Sequence, residues 1–370
     1  MKISRLISAV ALAAMLSACA THDHRHLTIK EQGSFTVGGT VKTSEGRYDA
    51  NPAALKGNNN DFWNVYQAST QAGGQTLHGD HAAVFYQIPE RARSLPLVFL
   101  HGYGGSMRAW QTTPDGREGF QNIFLRKRYP VYLVDQPRRG QAGRSTVGSE
   151  IKATPDDQFW FAQFRIGSYP NFNQGVAFPQ DQAALQQFFR TITPDTGPTD
   201  AAAITGSMGA LFDKIGGGIL VTHSAGGAFG WLIAGQNPNV KAVVAYEPGN
   251  FPFPEGEVPP LMENRFGNIS PMKTDAGTFR RLTQIPIVIY FGDFIPDAPN
   301  GTQGGDQWYM RMKLAQDWVN TVNKHGGKAT LVHLPKVGIK GNTHFPFSDL
   351  NNQQVAEHLA GWLKEKGLDK

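Results

Sequence analysis

Six short stretches of this chain are almost uninterrupted runs of apolar residues: "LPLVFLHG" (95–102), "YPVYLVD" (129–135), "GGILVTHS" (217–224), "VKAVVAYE" (240–247), "IPIVIYFGD" (285–293) and "ATLVHLP" (329–335). A strand that is apolar on both faces belongs to a parallel sheet covered by helices on both sides. Helix-compatible segments lie between the runs, among them "GGAFGWLIAG", "DQWYMRMKLAQDWVNTVNKHG" and the final "NNQQVAEHLAGWLKEKG". In the last of these, Val355, Leu359, Trp362 and Leu363 share one helical face. Two earlier stretches, 35–41 and 81–89, are rich in β-branched and aromatic residues and read as an antiparallel pair. The expected architecture is therefore α/β, with a mostly parallel eight-stranded sheet and helices on both of its faces. The 370 residues suffice for one large domain or two small ones. The formal charge of +5 comes from scattered lysines and arginines, which points to solubility rather than nucleic-acid binding.

The N-terminus reads as a targeting segment and not as part of the fold. Lys2 and Arg5 precede "LISAVALAAML", a run too short to span a bilayer and of the length of a signal-peptide core. The following "LSAC" resembles a bacterial lipobox, in which Cys19 is acylated after cleavage before it. Ala18 and Ala20 also form an A-x-A site for ordinary secretion. Cys19 is the only cysteine of the chain and falls at the lipobox position, which favours the lipoprotein reading. The expected division is a signal peptide at 1–18, a tether at 19–34 and one domain at 35–370. By resemblance to that sorting system, Ala20 after the cysteine implies the outer membrane, with the lipid on Cys19 as the membrane contact. His22, His24 and His26 lie in the tether, where no carboxylate or thiol framework would close a metal site. No metal or cofactor is expected.

Chemistry enters at "LVTHSAGG" (220–227), where Ser224 ends an apolar run and small residues follow. A serine there can cap the next helix. It can also be a nucleophile on a sharp strand-to-helix turn, its hydroxyl exposed where backbone N–H groups face developing negative charge. The second reading requires a donor loop, a base and an acid. "HGYGGS" (101–106) follows the third strand, and its glycines allow a backbone N–H to face a substrate oxygen. The oxyanion donors are then the backbone N–H groups of Tyr103 and Ala225. His344, in "GNTHFPF", lies between the last strand and the last helix and is the expected general base. His333 lies within a strand, His358 within a helix and His325 at a helix end, all structural positions. His101 and His223 are fixed by the motifs they flank. For the acid, Asp293 and Asp297 follow the seventh strand and Glu247 follows the sixth; any of them could orient an imidazole.

Between 145 and 205 the chain carries an insertion rich in aromatics, including Phe159, Trp160, Phe161, Phe164, Tyr169, Phe172, Phe178, Phe188 and Phe189. It reads as a cap whose aromatics mostly pack among themselves, with two or three facing an apolar acyl or aryl pocket. Arg138 and Arg139 offer a weaker expectation, attraction of an anionic substrate. Paired loop arginines more often meet surface carboxylates.

The combination of motifs is more specific than any one of them. "THSAG" stands where the α/β-hydrolase superfamily usually has G-x-S-x-G, and "HGYGG" resembles the oxyanion loop of lipases and esterases. With "TPDGR" (113–117), "VDQPRRG" (134–140), "EPG" (247–249) and "GNTH" (341–344), residues 95–363 resemble a group of exported microbial serine esterases. That group carries P-G-R-G after the fourth strand and often a glutamine after the nucleophile, where this chain has "PRRGQAG" and Ala225. The resemblance implies an α/β-hydrolase fold with a cap, and it implies that the glutamate of E-P-G is the acid. It thereby selects Glu247 over Asp293. The placement agrees, since a carboxylate ending a buried strand is costly unless paired, and Pro248 and Gly249 turn the chain away directly after it.

The expected activity is hydrolysis of a small-molecule ester through an acyl-enzyme on Ser224. The same residues would serve an amidase, lactonase, polyester depolymerase or acyltransferase. A non-catalytic ligand-binding protein is disfavoured by the ordered set of serine, acid, histidine and oxyanion loop.

Overall fold

The structure is a computed structural model and describes residues 26–49 and 61–370. The signal segment, Cys19, His22 and His24 lie outside the described residues.

Eight strands form one sheet: β1 (Ile29–Thr43), β2 (Thr76–Pro89), β3 (Leu97–Leu100), β4 (Val131–Asp135), β5 (Gly218–His223), β6 (Val240–Tyr246), β7 (Pro286–Phe291) and β8 (Lys328–His333). Their order across the sheet is β1-β2-β4-β3-β5-β6-β7-β8. β2 runs antiparallel to β1 and β4, and every other neighbouring pair is parallel. The apolar runs behave as their composition requires. Val98, Leu100, Leu220, Val243 and Ile289 point to one face, where α5 (Ala201–Ile215), α6 (Ala225–Gln236) and α8 (Gln303–Lys324) cover them with Leu211, Trp231 and Trp318. Leu97, Phe99, Ile219, Val244 and Tyr290 point to the other, against Phe120 and Phe124 of α2 (Phe120–Arg126) and Val355, Leu359 and Trp362 of α9 (Asn352–Glu365). The remaining helices are α1 (Phe62–Thr70), α3 (Asp157–Gln163), α4 (Gln182–Phe189) and α7 (Ala276–Leu282).

The domain starts earlier than 35. β1 begins at Ile29, and Leu27 and Ile29 pack on the core, so the end of the expected tether is strand. "IKEQGS" shows little apolar alternation because β1 is an edge strand whose outer side is exposed.

The insertion between β4 and α5 contains α3, a short antiparallel ladder (Gly167–Ser168 with Asn171–Phe172) and α4. It has its own small core of Phe161, Phe164, Ile166, Val176, Phe178, Leu185 and Phe188. α5, which starts at Ala201 inside the expected boundary of the insertion, packs on β1 and β2 and belongs to the main core.

Candidate active site

β5 is buried along its whole length and stops at His223, and α6 starts at Ala225. Ser224 alone makes the turn, with φ 52° and ψ −123°, a conformation that costs a non-glycine residue energy and is held by its surroundings. Its N–H donates to Tyr246 O at 3.0 Å, and its carbonyl accepts from the N–H groups of Gly227 (2.9 Å) and Gly249 (3.0 Å). Space is equally constrained. A Cβ at Gly102 would lie 2.7 Å from Ser224 Cβ, so the 101–106 loop can approach only as glycine. Thr222, where the superfamily usually has glycine, is fully buried. Its methyl faces Gly230 of α6, where a Cβ would lie 2.7 Å from Thr222 Cγ2. The glycine missing from the strand side of the turn thus reappears on the helix side.

The backbone N–H groups of Tyr103 and Ala225 have no acceptor among the described residues. Ala225 is the first residue of α6, so its N–H is one of those that an α-helix leaves unsatisfied. The Tyr103 loop is braced from below. The Gln136 N–H donates to His101 Nε2 (3.2 Å), which leaves Nδ1 to carry the proton toward Gly102 O (2.9 Å). Burial lowers the His101 pKa to about 3, so the ring stays neutral. Asp135 accepts from the N–H groups of Met107 (2.6 Å) and Gln141 (2.8 Å), which ties "VDQPRRG" to the same loop. Arg117 of "TPDGR" pairs with Asp115 and donates to the carbonyls of Ser348 and Asp349, bracing the loop that carries His344.

His344 and Glu247 meet directly and both are fully buried. His344 Nδ1 is 2.6 Å from Glu247 Oε2, while Gly292 N–H donates to Oε1 at 2.6 Å and Arg165 Nη2 donates to the same oxygen. Burial raises the Glu247 carboxyl, but the charges of Arg165 and His344 outweigh it and leave it below its ordinary value. Burial lowers His344, against the opposing pull of Glu247. Its Nε2 is buried and has no hydrogen-bond partner among the described residues. Among the described residues the Ser224 hydroxyl makes no hydrogen bond. The His223 ring, next to Ser224 in sequence, lies 4.4 Å from the His344 ring, and its Nε2 is 2.9 Å from His344 O.

The other candidates fall elsewhere. Asp293 accepts from the N–H groups of Phe294 and Gly341, both at 2.8 Å, and closes its own loop. His333 ends β8, His358 contacts the Tyr290 hydroxyl at 3.1 Å, and His325 caps α8 beside Glu257. Arg138 pairs with Asp80 (2.7 Å) and Arg139 with Asp195, so carboxylates of the fold meet their charges.

A cavity of about 480 Å³ lies beside the Gly102–Gly105 loop and His223. Its apolar wall includes Tyr103, Trp160, Phe164, Phe188, Ile192 and Phe345, and His223, the residue before Ser224, also lines it. Three of the nine aromatics of the insertion therefore face it, while Phe161 and Phe178 lie in the insertion's own core. A second cavity of about 70 Å³ lies beside Ala225 and Phe229 and shares Tyr103 and Arg139 with the first.

The sequence reading did not single out Arg165 or Asp349. Asp349 accepts from Thr343 N (2.7 Å), Thr343 Oγ1 (2.8 Å) and Asn342 Nδ2 (3.2 Å), which fastens the loop just before His344. For Arg165 a signal was present: one arginine inside "FWFAQFRI" must be paired if that stretch is buried.

The model of the alpha/beta hydrolase family matches residues 97–323. A probable secreted lipase of a fungal species (strain ATCC 74256) is 27% identical over 314 residues, covering 73% of this chain and 82% of that protein. The solved structure of a novel bacterial esterase superposes with a TM-score of 0.70 at 29% identity, over 92% of this chain and 97% of that one.

Proposed function

The chain belongs to the alpha/beta hydrolase family, and on that premise we propose that it is an exported serine esterase. Its relatives include an esterase and a probable secreted lipase, which supports hydrolysis of an ester bond. The observation that carries the reading is the buried Glu247–His344 pair, whose Nε2 has no hydrogen-bond partner among the described residues; the strained turn at Ser224 and the Tyr103 and Ala225 N–H groups, without acceptors among those residues, support it.

The chemistry follows from these groups. Ser224 Oγ attacks the ester carbonyl while its proton passes to His344 Nε2. Glu247 holds the Nδ1–H and stabilises the imidazolium that forms. The carbonyl oxygen, now negative, accepts from Tyr103 N–H and Ala225 N–H. Collapse breaks the bond to the alcohol oxygen, which takes the proton from His344 as it leaves. A water molecule then gives a proton to His344 and its oxygen to the acyl carbon. Release of the acid returns the proton to Ser224. The larger apolar part of the substrate occupies the aromatic cavity, and a small group fits the 70 Å³ cavity beside Ala225. Export rests on the N-terminal apolar run, and Cys19 is the proposed lipid attachment site.

The test is covalent labelling by a fluorophosphonate together with turnover of p-nitrophenyl esters of increasing chain length. Labelling of the wild type, its loss in Ser224→Ala and ester turnover are expected. A Ser224→Ala protein that labels and turns over like wild type refutes the assignment. Turnover of amides in preference to every ester refutes the substrate class.

A further inference from the structure

We propose that the insertion is part of the catalytic apparatus and not a detachable lid, with Arg165 as a positioning residue that locks the Glu247–His344 pair; this rests on the triad reading above. The insertion reaches the triad through two consecutive residues. Phe164 O accepts the backbone N–H of His344 at 3.0 Å, and the Phe164 ring stacks on the imidazole at 5.1 Å between centroids and 16° between planes. Arg165, 3% exposed, donates from Nη2 to Glu247 Oε1 and from Nε to Asp293 O at 2.8 Å. Its guanidinium lies 5.3 Å from the ring centre of Trp308, and that ring packs on His344 at 4.2 Å. Trp308 in turn donates from Nε1 to Gln163 O, the last residue of α3, at 2.8 Å. The insertion, α8 and the triad thus form one contact network, and opening the insertion would strip His344 and Glu247 of these partners.

The consequence for reactivity is electrostatic. Glu247 has two oxygens, one committed to His344 and one to Arg165 and Gly292. With Arg165 present the resting group is neutral, and a proton on His344 makes it cationic. Without Arg165 the buried carboxylate stands alone, and the pair takes up a proton more readily as a unit. The other groups facing this pair are Arg311, which lies over Trp308 and also disfavours imidazolium, and Asp349 beneath the histidine loop. His223 is kept neutral by burial, while His333 and Asp293 lie further round. Among these only Arg165 touches the Glu247 carboxylate with a cation.

The experiment is the pH dependence of kcat/KM on an aryl acetate for wild type, Arg165→Gln and Arg165→Lys, with Ser224→Ala and His344→Ala as controls and thermal melting to verify folding. In Arg165→Gln the acid limb is expected to move up by about one unit or more, as for loss of an opposite charge in contact, with kcat at least tenfold lower. Arg165→Lys keeps the charge and is expected to keep the limb while recovering part of kcat. A folded Arg165→Gln with an unmoved limb overturns the proposal, whatever its kcat. If that variant does not fold, Arg165→Met takes its place under the same two outcomes, and an upward shift in folded Arg165→Lys also overturns the proposal. Control variants with wild-type activity would instead overturn the triad reading itself.

Discussion

Replacing Glu247 by glutamine and, separately, Asp293 by asparagine tests which carboxylate orients the base. Glu247→Gln is nearly isosteric, so the fully buried site can hold it without a cavity. What changes is the hydrogen-bond polarity. Arg165 and Gly292 both donate to Oε1, so the amide oxygen is retained on that side and the amide nitrogen faces His344 Nδ1. An amide N–H there requires Nδ1 to accept, which moves the imidazole proton to Nε2, the atom that must take the Ser224 proton. The wrong tautomer has cost serine proteases about 10⁴ in kcat. The expected fall here is about 10²–10⁴, or about 2.7–5.4 kcal/mol at 1.36 kcal/mol per decade. Asp293 instead accepts two backbone N–H groups at 2.8 Å, from Phe294 and Gly341. Its asparagine variant keeps one acceptor and turns the other against an N–H. That costs about 1–2 kcal/mol of stability and less than about tenfold in rate. The assay is kcat at saturating substrate with circular dichroism and melting curves for each variant. If Asp293→Asn is the more damaging change while both proteins are folded, Glu247 is not the acid.

Three further outcomes are expected. Gly230→Ala puts a methyl 2.7 Å from Thr222 Cγ2; overpacking of about 1–3 kcal/mol offsets a helix-propensity gain of about 1 kcal/mol. In a Thr222→Ser background the same change should turn stabilising, and melting temperatures that show no coupling would refute the compensation. Asp349→Ala strands the Thr343 N–H and hydroxyl in a buried loop and removes one of two acceptors of Asn342 Nδ2. It should cost about 2–4 kcal/mol of stability and lower kcat through His344, and a variant of wild-type stability and rate would exclude that role. Burial holds His344 below 6.5, so the neutral imidazole persists into mildly acidic solution. The acid limb of wild-type kcat/KM should therefore lie below pH 6.5, and a limb above it would contradict the assignment of that limb to His344.

The apolar runs by themselves determined the mostly parallel sheet, because a strand without a polar face has nowhere to lie except between two helical layers. They did not reveal how early β1 begins, since an edge strand has half its surface in water and needs no apolar pattern. Chain order by itself nominated Ser224 and His344, each the reactive side chain at the end of a predicted strand or in the loop beyond it. Residue types alone left Glu247 and Asp293 open, because each ends a strand and only contact distances separate a carboxylate facing an imidazole from one closing its own loop. Only the fold places Thr222 against Gly230, the sixth residue after Ser224, where a glycine leaves room for its methyl. Arg165 was visible only as one charge in an aromatic stretch. Its partner is 82 residues away in sequence, and folding alone decides which buried charges meet.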